Sequence, residues 1–451
     1  MSPELLTESV QIERLTRSGW GVARLANGRY VHIPGVSVGE RHLVQAFKTS
    51  KGWRGRSAQC EEPSPNRITP DCDYYGSCAG CTHRHLSQAD RKRTLLDNLT
   101  RFVTSQGHQP NLITWLGGVP AQGYRSRAVC LPHRDDHGRW SLRFSTTPTY
   151  GGVPIENCIN QVPEMSELAA AVSAALGPDD EPFYPEERVG SIRHMILSTG
   201  YMNEETGYRV IMATHGPADG SRADTFATRL QSLLPTAQVY VDELPKRNAG
   251  LYNKPKPLGI ELPMVQRIGG TSFQVSPRSW WSQSPLSVET LVATVDRMVK
   301  IRARDRVLEI GCGVGTLAVL LQPKCAAWLG IDEERAAIID ATENTKTFSD
   351  VFRFFVGDGE HWLRKLAGRE YFDVVVIHAM RLPFGVQFIR LLEMLNARVI
   401  VYIAPNPRSM LQDLDELEHY GVDEIGLLDQ MPGSGHHLTV AKMTKVLSPR
   451  G

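Results

Sequence analysis

The last third of the chain alternates strongly apolar runs with stretches whose apolar residues recur at helical spacing. The apolar runs lie at 307–310, 326–331, 354–356, 374–377 and 399–403, and the helical stretches lie near 334–347, 359–366, 386–395 and 409–420. Apolar strands that alternate with amphipathic helices are typical of a parallel sheet covered on both faces. The pattern predicts an α/β Rossmann-like domain over residues 285–451.

Two other patterns precede this domain. Residues 1–60 hold short runs of mixed polarity between glycines, which predicts a small β-barrel. After a Pro-rich polar segment at 61–71, the chain up to residue 284 mixes strand-like runs with helical stretches. We therefore expect a multidomain protein with an N-terminal barrel at 1–60, a central α+β domain at 61–284 and the α/β domain at 285–451.

Composition and charge narrow the class of protein. Of the 451 residues, 41% are hydrophobic and 22% are charged, as in ordinary globular proteins. No apolar run is long enough to cross a bilayer, and the first residues lack the apolar core of a signal peptide, so we expect a cytoplasmic monomer without membrane contacts. The net charge of +1 gives no general attraction to nucleic acid, so RNA binding would need local basic patches.

Three glycines at alternate positions, Gly311, Gly313 and Gly315, follow the first apolar strand of the α/β domain. Glycines there let the backbone approach a ligand closely, and Asp332 at the end of the next strand can accept hydrogen bonds from a ribose. Dinucleotide-binding enzymes share these features. Glu309 within the strand and the Gly-Cys-Gly-x-Gly spacing favour S-adenosylmethionine (SAM) over a dinucleotide.

Three of the eight cysteines, Cys72, Cys78 and Cys81, have the spacing C-x5-C-x2-C. Three thiolates this close can bind one metal centre, and a fourth ligand must come from elsewhere, with Cys158 the first candidate and Cys130 the second. Zinc sites usually show two C-x2-C pairs, so an iron–sulfur cluster fits this spacing better. Zinc and unliganded thiols remain the alternatives.

Basic and aromatic residues are concentrated in two places. In the barrel, Arg and Lys outnumber the acids, and Trp20, Tyr30 and Trp53 could stack on bases. In the helical stretch after the cysteines, the side chains expected to face outward are Arg84, Arg91, Lys92, Arg93 and Arg101. These patches favour RNA binding, and the alternative for the barrel is a solvated surface with core aromatics.

The order of these features resembles the iron–sulfur RNA (uracil-C5)-methyltransferase family, and in particular its rRNA-modifying branch with an N-terminal TRAM (OB-like) barrel. The resemblance covers nearly the whole chain and implies an rRNA or tRNA partner. It implies a [4Fe-4S] cluster held by Cys72, Cys78, Cys81 and Cys158, and a SAM pocket lined by Gln274, Gly311, Gly313, Thr316, Asp332 and Asp358. It also places Tyr124, Arg125 and Arg127 in a stretch that supports RNA binding.

Three positions depart from the family pattern. In the family a cysteine adds to C6 of the uracil, and a carboxylate base later removes the C5 proton. Here the nucleophile position is Pro405, the base position is Leu438, and His378 stands in place of an aspartate. Misalignment is the alternative explanation for any one change. Three changes in three separate segments favour altered or lost C5 chemistry.

Other residues are poor replacements for the missing cysteine and base. Cys312 lies in the glycine loop and Cys325 precedes a buried strand, while His436 and His437 are expected to be an exposed pair with an incidental role. Two functions remain. The protein is either a SAM-dependent RNA methyltransferase that modifies a nitrogen or oxygen, or a non-catalytic RNA-binding protein that keeps the fold.

Overall fold

The N-terminal part of the chain forms a closed five-stranded barrel. The computed structural model describes residues 5–144, 152–183, 191–244, 251–259, 261–321, 325–348, 350–379 and 382–446. The barrel strands are β1 (Leu5–Leu15), β2 (Trp20–Arg24), β3 (Tyr30–Pro34), β4 (Arg41–Thr49) and β5 (Gly52–Glu62), in the order β1-β2-β3-β5-β4. Ile12, Val31, Ile33 and Val44 fill its interior. The predicted barrel is confirmed, and its last strand ends at Glu62 rather than at residue 60.

The central region contains a mixed sheet covered by two helices. Its strands are β7 (Arg127–Arg134), β8 (Trp140–Phe144), β9 (Val153–Pro154), β10 (Ile192–Met202), β11 (Glu205–His215), β12 (Ala237–Leu244), β13 (Lys256–Leu258), β14 (Val265–Ile268) and β15 (Thr271–Gln274). Their main order is β13-β12-β11-β10-β7-β8-β9, with β14 pairing to β10 and β15. Helices α2 (Pro163–Ala175) and α3 (Gly220–Leu233) contribute Met165, Leu168 and Phe226 to its core.

The C-terminal sheet is doubly wound, as predicted. Its strands are β16 (Arg306–Ile310), β17 (Ala327–Asp332), β18 (Phe352–Val356), β19 (Val374–His378), β20 (Val399–Ala404), β21 (Tyr420–Asp429) and β22 (Leu438–Lys445). The helices of this domain are α4 (Pro285–Val299), α5 (Thr316–Leu321), α6 (Arg335–Thr345), α7 (Gly359–Leu366), α8 (Val386–Glu393) and α9 (Pro407–Leu414). Strands β16 to β20 run parallel, and β22 pairs antiparallel with β20 and β21.

Two elements expected in the central domain belong to this C-terminal unit instead. Strand β6 (Ile113–Gly118) pairs with β21, so the sheet order is β18-β17-β16-β19-β20-β22-β21-β6. Helix α1 (Gln88–Ser105) buries Leu95, Leu99 and Val103 in the same core as β19 and β20. The C-terminal unit therefore includes residues from before position 120. No helix in the described ranges is both long and apolar enough to span a membrane.

Candidate functional site

The order of the C-terminal strands reverses beside β16, which has β17 on one side and β19 on the other. In open α/β sheets, ligands bind at the carboxyl ends of the strands where the order reverses. The carboxyl end of β16 carries the glycine loop, and the carboxyl end of β19 carries His378. A Cβ added to Gly311 would lie 2.9 Å from the carbonyl oxygen of His378, so the two strand ends are in contact.

The glycine loop has the backbone that its sequence predicts. Gly311, Gly313 and Gly315 have φ values of +77°, +53° and +76°, which disfavour other residues. A Cβ on Gly313 would meet nothing within 4 Å, so this part of the loop faces open space. Thr316 then begins α5. The loop thus presents bare backbone to the crevice, as close approach of a ligand requires.

Two carboxylates near this loop accept hydrogen bonds from backbone N–H groups. Asp332 at the end of β17 accepts hydrogen bonds from the N–H groups of Gly313 and Glu334, both at 2.9 Å. Asp358 caps α7 by accepting from the N–H of His361 at 2.8 Å. Burial raises the pKa of Glu333, and the nearby Asp358 raises it further. Three acidic side chains therefore border the same end of the sheet.

Gln274 reaches the glycine loop through Asn344. The Asn344 side chain donates to the carbonyl oxygens of Gln274 (3.1 Å) and Val314 (2.9 Å). The Gln274 side chain donates weakly to Asp340, a buried carboxylate that also accepts from Ser276. The structure thus places the predicted SAM-site residues along the carboxyl edge of β16, β17 and β18, with Gln274 approaching from β15.

A histidine–glutamate pair lies beside this loop, and sequence reasoning missed it. Nε2 of His378 lies 3.1 Å from Oε1 of Glu309, and Nε1 of Trp328 donates to Oε2 of the same carboxylate at 3.2 Å. Glu309 is 1% exposed, whereas the side chain of His378 is 28% exposed. The sequence does show an acid and a histidine near the ends of two apolar strands. Because neighbouring parallel strands bring their ends together, this pattern could have predicted the pair.

The family's nucleophile and base positions also come together. Ala404 pairs with Thr439 across β20 and β22, and the Thr439 hydroxyl donates to the Ala404 carbonyl at 3.1 Å. Pro405 follows this last pair on one strand and Leu438 precedes it on the other, so they occupy the next positions of the antiparallel register. The proline side chain has no nucleophilic atom and the leucine side chain cannot accept a proton.

The two histidines in the loop before Leu438 differ from each other in their exposure to solvent. His436 is exposed, but His437 is only 3% exposed, so the expectation of an exposed pair is wrong for His437. Burial, together with the charge of Arg17, lowers the pKa of His437 to about 4. The ring is therefore neutral near pH 7, with Nδ1 3.1 Å from the carbonyl oxygen of Gly435.

Four cysteines surround one cavity between the linker and the central sheet. Cys72, Cys78, Cys81 and Cys158 all line this cavity of about 380 Å³, together with Tyr74, Tyr75, Phe144 and Ile159. Burial raises the pKa values of the Cys78 and Cys158 thiols, and the neighbouring thiols raise them further. Cys130 lies elsewhere, fully buried in β7, where its thiol donates to the Met195 carbonyl at 3.4 Å.

The spacing of these four thiols bears on the kind of metal site. In the described residues, only Glu40, His42 and Cys60 form a set whose ligand atoms all lie within 4.8 Å of one another. A tetrahedral zinc with bonds of about 2.3 Å would need sulfur separations of about 3.8 Å. No three of the four thiols lie within 4.8 Å of one another, so they are not gathered as tightly as a single zinc ion requires. Asn160 and Gly80 donate N–H groups to Cys81 Sγ at 3.1 Å and to Cys78 Sγ at 3.4 Å.

Several residues expected to face RNA are buried. Arg84 is 6% exposed and binds Asp71, and Arg91 is 8% exposed and lies 2.7 Å from Asp429. The prediction that both side chains face outward is therefore wrong, because each guanidinium forms an ion pair with a carboxylate. Trp53 belongs to the barrel core, and the buried Tyr124 donates its hydroxyl to the Pro432 carbonyl. Exposed basic and aromatic side chains on these faces include Arg24, Arg29, Tyr30, Lys92, Arg93 and Arg101.

Comparison with known proteins shows which proteins this architecture is similar to. Residues 301–451 match the Methyltransf_31 family, described as a methyltransferase domain. The crystal structure of the Pyrococcus abyssi tRNA (uracil-54, C5)-methyltransferase in complex with S-adenosyl-L-homocysteine is similar with a TM-score of 0.75 and 20% identity, over 96% of this chain and 99% of that one. The chain therefore shares the fold of that structure over nearly its whole length, and its C-terminal third matches a methyltransferase domain.

Similar sequences carry names of the same class. A Halalkalibacterium halodurans protein called an uncharacterized RNA methyltransferase is 24% identical over 93% of this chain and 92% of its own length. A Staphylococcus epidermidis protein with the same description is 25% identical, covering 95% of both chains. The similarity thus spans the barrel, the central region and the methyltransferase domain.

Proposed function

We propose that this protein binds SAM and RNA and transfers a methyl group to RNA without the covalent uracil-C5 route. The observation that carries the proposal is an open glycine loop together with a paired end of β20 and β22 where the next positions of the register are Pro405 and Leu438. The first feature supports retained SAM binding. The second removes both groups that the covalent route needs.

The residues of the crevice fit SAM. SAM would supply a methyl group on a sulfonium sulfur. The open backbone at Gly313 allows close approach of the ligand, and Asp332 has remaining lone pairs that could accept hydrogen bonds from ribose hydroxyls. Asp358 and Gln274 would complete the pocket from α7 and β15.

The cysteine cavity fits a [4Fe-4S] cluster with Cys72, Cys78, Cys81 and Cys158 as ligands. Four thiols line it, their spacing exceeds that of a single zinc site, and two of them already accept N–H hydrogen bonds. Hydrogen bonds to ligand sulfurs are a common way for proteins to tune such clusters. The neighbouring Arg84 also reduces the cost of negative charge on bound thiolates.

The proposed RNA partner is supported by the exposed basic and aromatic residues of the barrel. Arg24 lies over the Tyr30 ring at 6.0 Å from its centre, and Arg54 lies over the Trp20 ring at 4.7 Å. Tyr30 is 49% exposed, so its ring is available to stack on a base. The relatives named RNA methyltransferases support the same partner.

A second candidate, a non-catalytic RNA-binding protein, is favoured by the same Pro405 and Leu438. One experiment separates the two. Purified protein is incubated with SAM labelled on its methyl group and with total RNA, and the RNA is digested to nucleosides for identification. The proposal expects a labelled nucleoside other than 5-methyluridine. RNA binding without any labelled nucleoside would favour the second candidate.

A further inference from the structure

We propose that His378 is the general base for methyl transfer to a proton-bearing nitrogen or oxygen of RNA, and that Glu309 is its positioning residue. This inference rests on the proposed function and names its acceptor chemistry. An N–H or O–H acceptor must lose a proton when it gains a methyl group, unlike an acceptor with a free lone pair and no proton to lose. A nearby base therefore has a specific task in this reaction.

The position of His378 suits this task. It ends β19 at the point where the strand order reverses, and its backbone contacts the first glycine of the loop. Its side chain is 28% exposed, so a substrate atom can reach the ring. Among the described residues at the ends of β19 and β20, which are His378, Ala379, Ala404 and Pro405, His378 is the titratable side chain.

The contacts of His378 select one tautomer. The Glu309 carboxylate can only accept, so the Nε2 of His378 that lies 3.1 Å away carries the proton and donates it. Within the described residues, Nδ1 has no hydrogen-bond partner. The lone pair of Nδ1 is thus available to an acceptor N–H or O–H in the crevice.

Glu309 faces the positive charge that develops on His378 during the reaction. The carboxylate is buried, and its hydrogen-bond donors among the described residues are Trp328 and His378. A buried carboxylate is costly unless it is paired, so a positive charge on His378 is stabilised by Glu309. Hydrolytic triads also use a buried carboxylate to stabilise an imidazolium, although there the carboxylate binds Nδ1 and the histidine takes its proton from the enzyme's own serine.

The proposed step balances in atoms and charge. The acceptor nitrogen or oxygen forms a bond to the methyl carbon while the bond from that carbon to sulfur breaks, and the electron pair stays on sulfur. The acceptor's proton passes to Nδ1 of His378. The sulfonium charge is thereby replaced by the imidazolium charge, which the Glu309 carboxylate faces until solvent removes the proton.

Substitution of His378 tests the proposal. For His378→Gln, we expect kcat to fall about 10²- to 10⁴-fold, the usual contribution of general-base catalysis, with the KM values for SAM and RNA unchanged. Added imidazole should restore turnover to His378→Ala. His419→Gln is the matched control, because His419 also faces a glutamate, Glu393 at 3.4 Å, but lies outside the crevice. It should keep wild-type turnover.

A second measurement does not depend on activity. Nitrogen NMR of the His378 ring in the absence of SAM should show the Nε2-protonated tautomer in the wild type, and Glu309→Gln should lose this preference. Wild-type turnover in His378→Gln would overturn the inference while leaving the proposed function intact. A loss of turnover that parallels lost SAM binding and resists imidazole would assign His378 a structural role instead. A wild-type protein that labels no nucleoside would overturn both proposals.

Discussion

The backbone N–H of His83 donates to the carbonyl oxygen of Gly433 at 2.8 Å. This bond joins the segment just after Cys81 to the loop that leads into β22 and Leu438. The fit is close, since a Cβ added to Gly433 would lie 3.1 Å from Arg84 Nη1 and 3.5 Å from Cys81 Sγ. The position of the C-terminal loop therefore depends on the order of the cysteine segment.

Replacement of Cys78 by serine should remove the visible absorption of protein purified without oxygen. A [4Fe-4S] cluster is coloured, and the loss of one of four thiolate ligands destabilises it. Because the cysteine segment supports the loop at Gly433, we also expect faster proteolysis of residues 431–437 in this variant. Absorption spectra, iron analysis and limited proteolysis measure these effects.

Cys60→Ser is the matched control for this experiment. Cys60 is exposed at the end of the barrel and does not line the cavity, so its replacement should leave colour and iron content unchanged. Colourless wild-type protein that contains zinc and no iron would refute the cluster assignment.

The fold could be predicted where its signal is local. The central parallel strands β16, β19 and β20 are buried on both faces, so they appear as continuous apolar runs, and the predicted run 399–403 matches the observed Val399–Ala404. Strand β6 was missed because its partner β21 lies about 300 residues away and neither strand is uniformly apolar. The local pattern of apolar and polar residues does not indicate a pairing between strands so far apart in the sequence.

The same distinction applies to the candidate site. The glycine loop and the cysteine spacing are local features and were found from the sequence alone. The contact between Glu309 and His378 joins residues 69 positions apart, so it can be predicted only when the order of the strands in the sheet is known. Arg84 and Arg91 were assigned to an exposed face because helical periodicity does not show which polar residues find a buried carboxylate.

Asp332→Ala should weaken SAM binding by about ten- to a hundredfold. The loss of a hydrogen bond to a charged group costs about 1.5–3 kcal/mol. The substitution also removes the acceptor that holds the Gly313 N–H at 2.9 Å. Calorimetric titration with SAM measures the change, and Asp350→Ala, at an exposed position of the same domain, should bind as the wild type does. Wild-type protein that shows no heat with excess SAM would contradict SAM binding.

Glu40→Gln should destabilise the barrel and its junction with the linker at neutral pH. Glu40 is fully buried and accepts hydrogen bonds from Arg67 at 2.6 Å and from the N–H of Ser37 at 2.6 Å. Removal of a charged hydrogen bond of this kind costs about 1.5–3 kcal/mol of unfolding free energy. Urea unfolding at pH 7 measures the loss, with the exposed Glu62→Gln as a control that should change little.

The effect of Glu40→Gln should depend on pH. Burial raises the pKa of Glu40, but the hydrogen bonds from Arg67 and His42 outweigh burial and hold the pKa well below its usual range. A carboxylate with a lowered folded-state pKa contributes fully above its unfolded pKa of about 4.3 and loses this contribution as the pH falls further. The difference between wild type and variant should therefore be largest near pH 7 and shrink below about pH 4. An equal difference at both pH values would contradict this assignment.

Tyr30→Ala should weaken RNA binding through lost base stacking, which is worth about 1–3 kcal/mol per base. Arg24→Gln should weaken it through a lost phosphate contact and reduce the slope of log affinity against log salt by about 0.7–0.9. Both side chains are exposed on the barrel. Affinities measured at several salt concentrations separate the two effects. Unchanged affinity in both variants would argue against the barrel as the RNA-binding surface.

The protein should make no 5-methyluridine by the covalent route. That route needs a thiolate that adds to C6 and a base that removes the C5 proton. Pro405 and Leu438 stand at these positions instead, next to the last pair of β20 and β22, Ala404 and Thr439. General-base assistance alone is worth about 10²–10⁴ in rate, and without the covalent step C5 is not activated at all. Pro405→Cys alone should not restore turnover, because the adduct would lack its base.

RNA that contains 5-fluorouridine gives a direct test, since fluorine at C5 blocks the last step and leaves a stable protein–RNA adduct wherever a nucleophile adds to C6. We expect no shifted band on a denaturing gel from the wild-type protein with SAM. The double variant Pro405→Cys with Leu438→Glu regains both groups at neighbouring positions, so it should form the adduct more readily than either single variant. A SAM-dependent shifted band from the wild type would mean that another residue supplies the nucleophile. That result would contradict both the role given to Pro405 and the acceptor chemistry proposed for His378, because a covalent C5 route would then be in use.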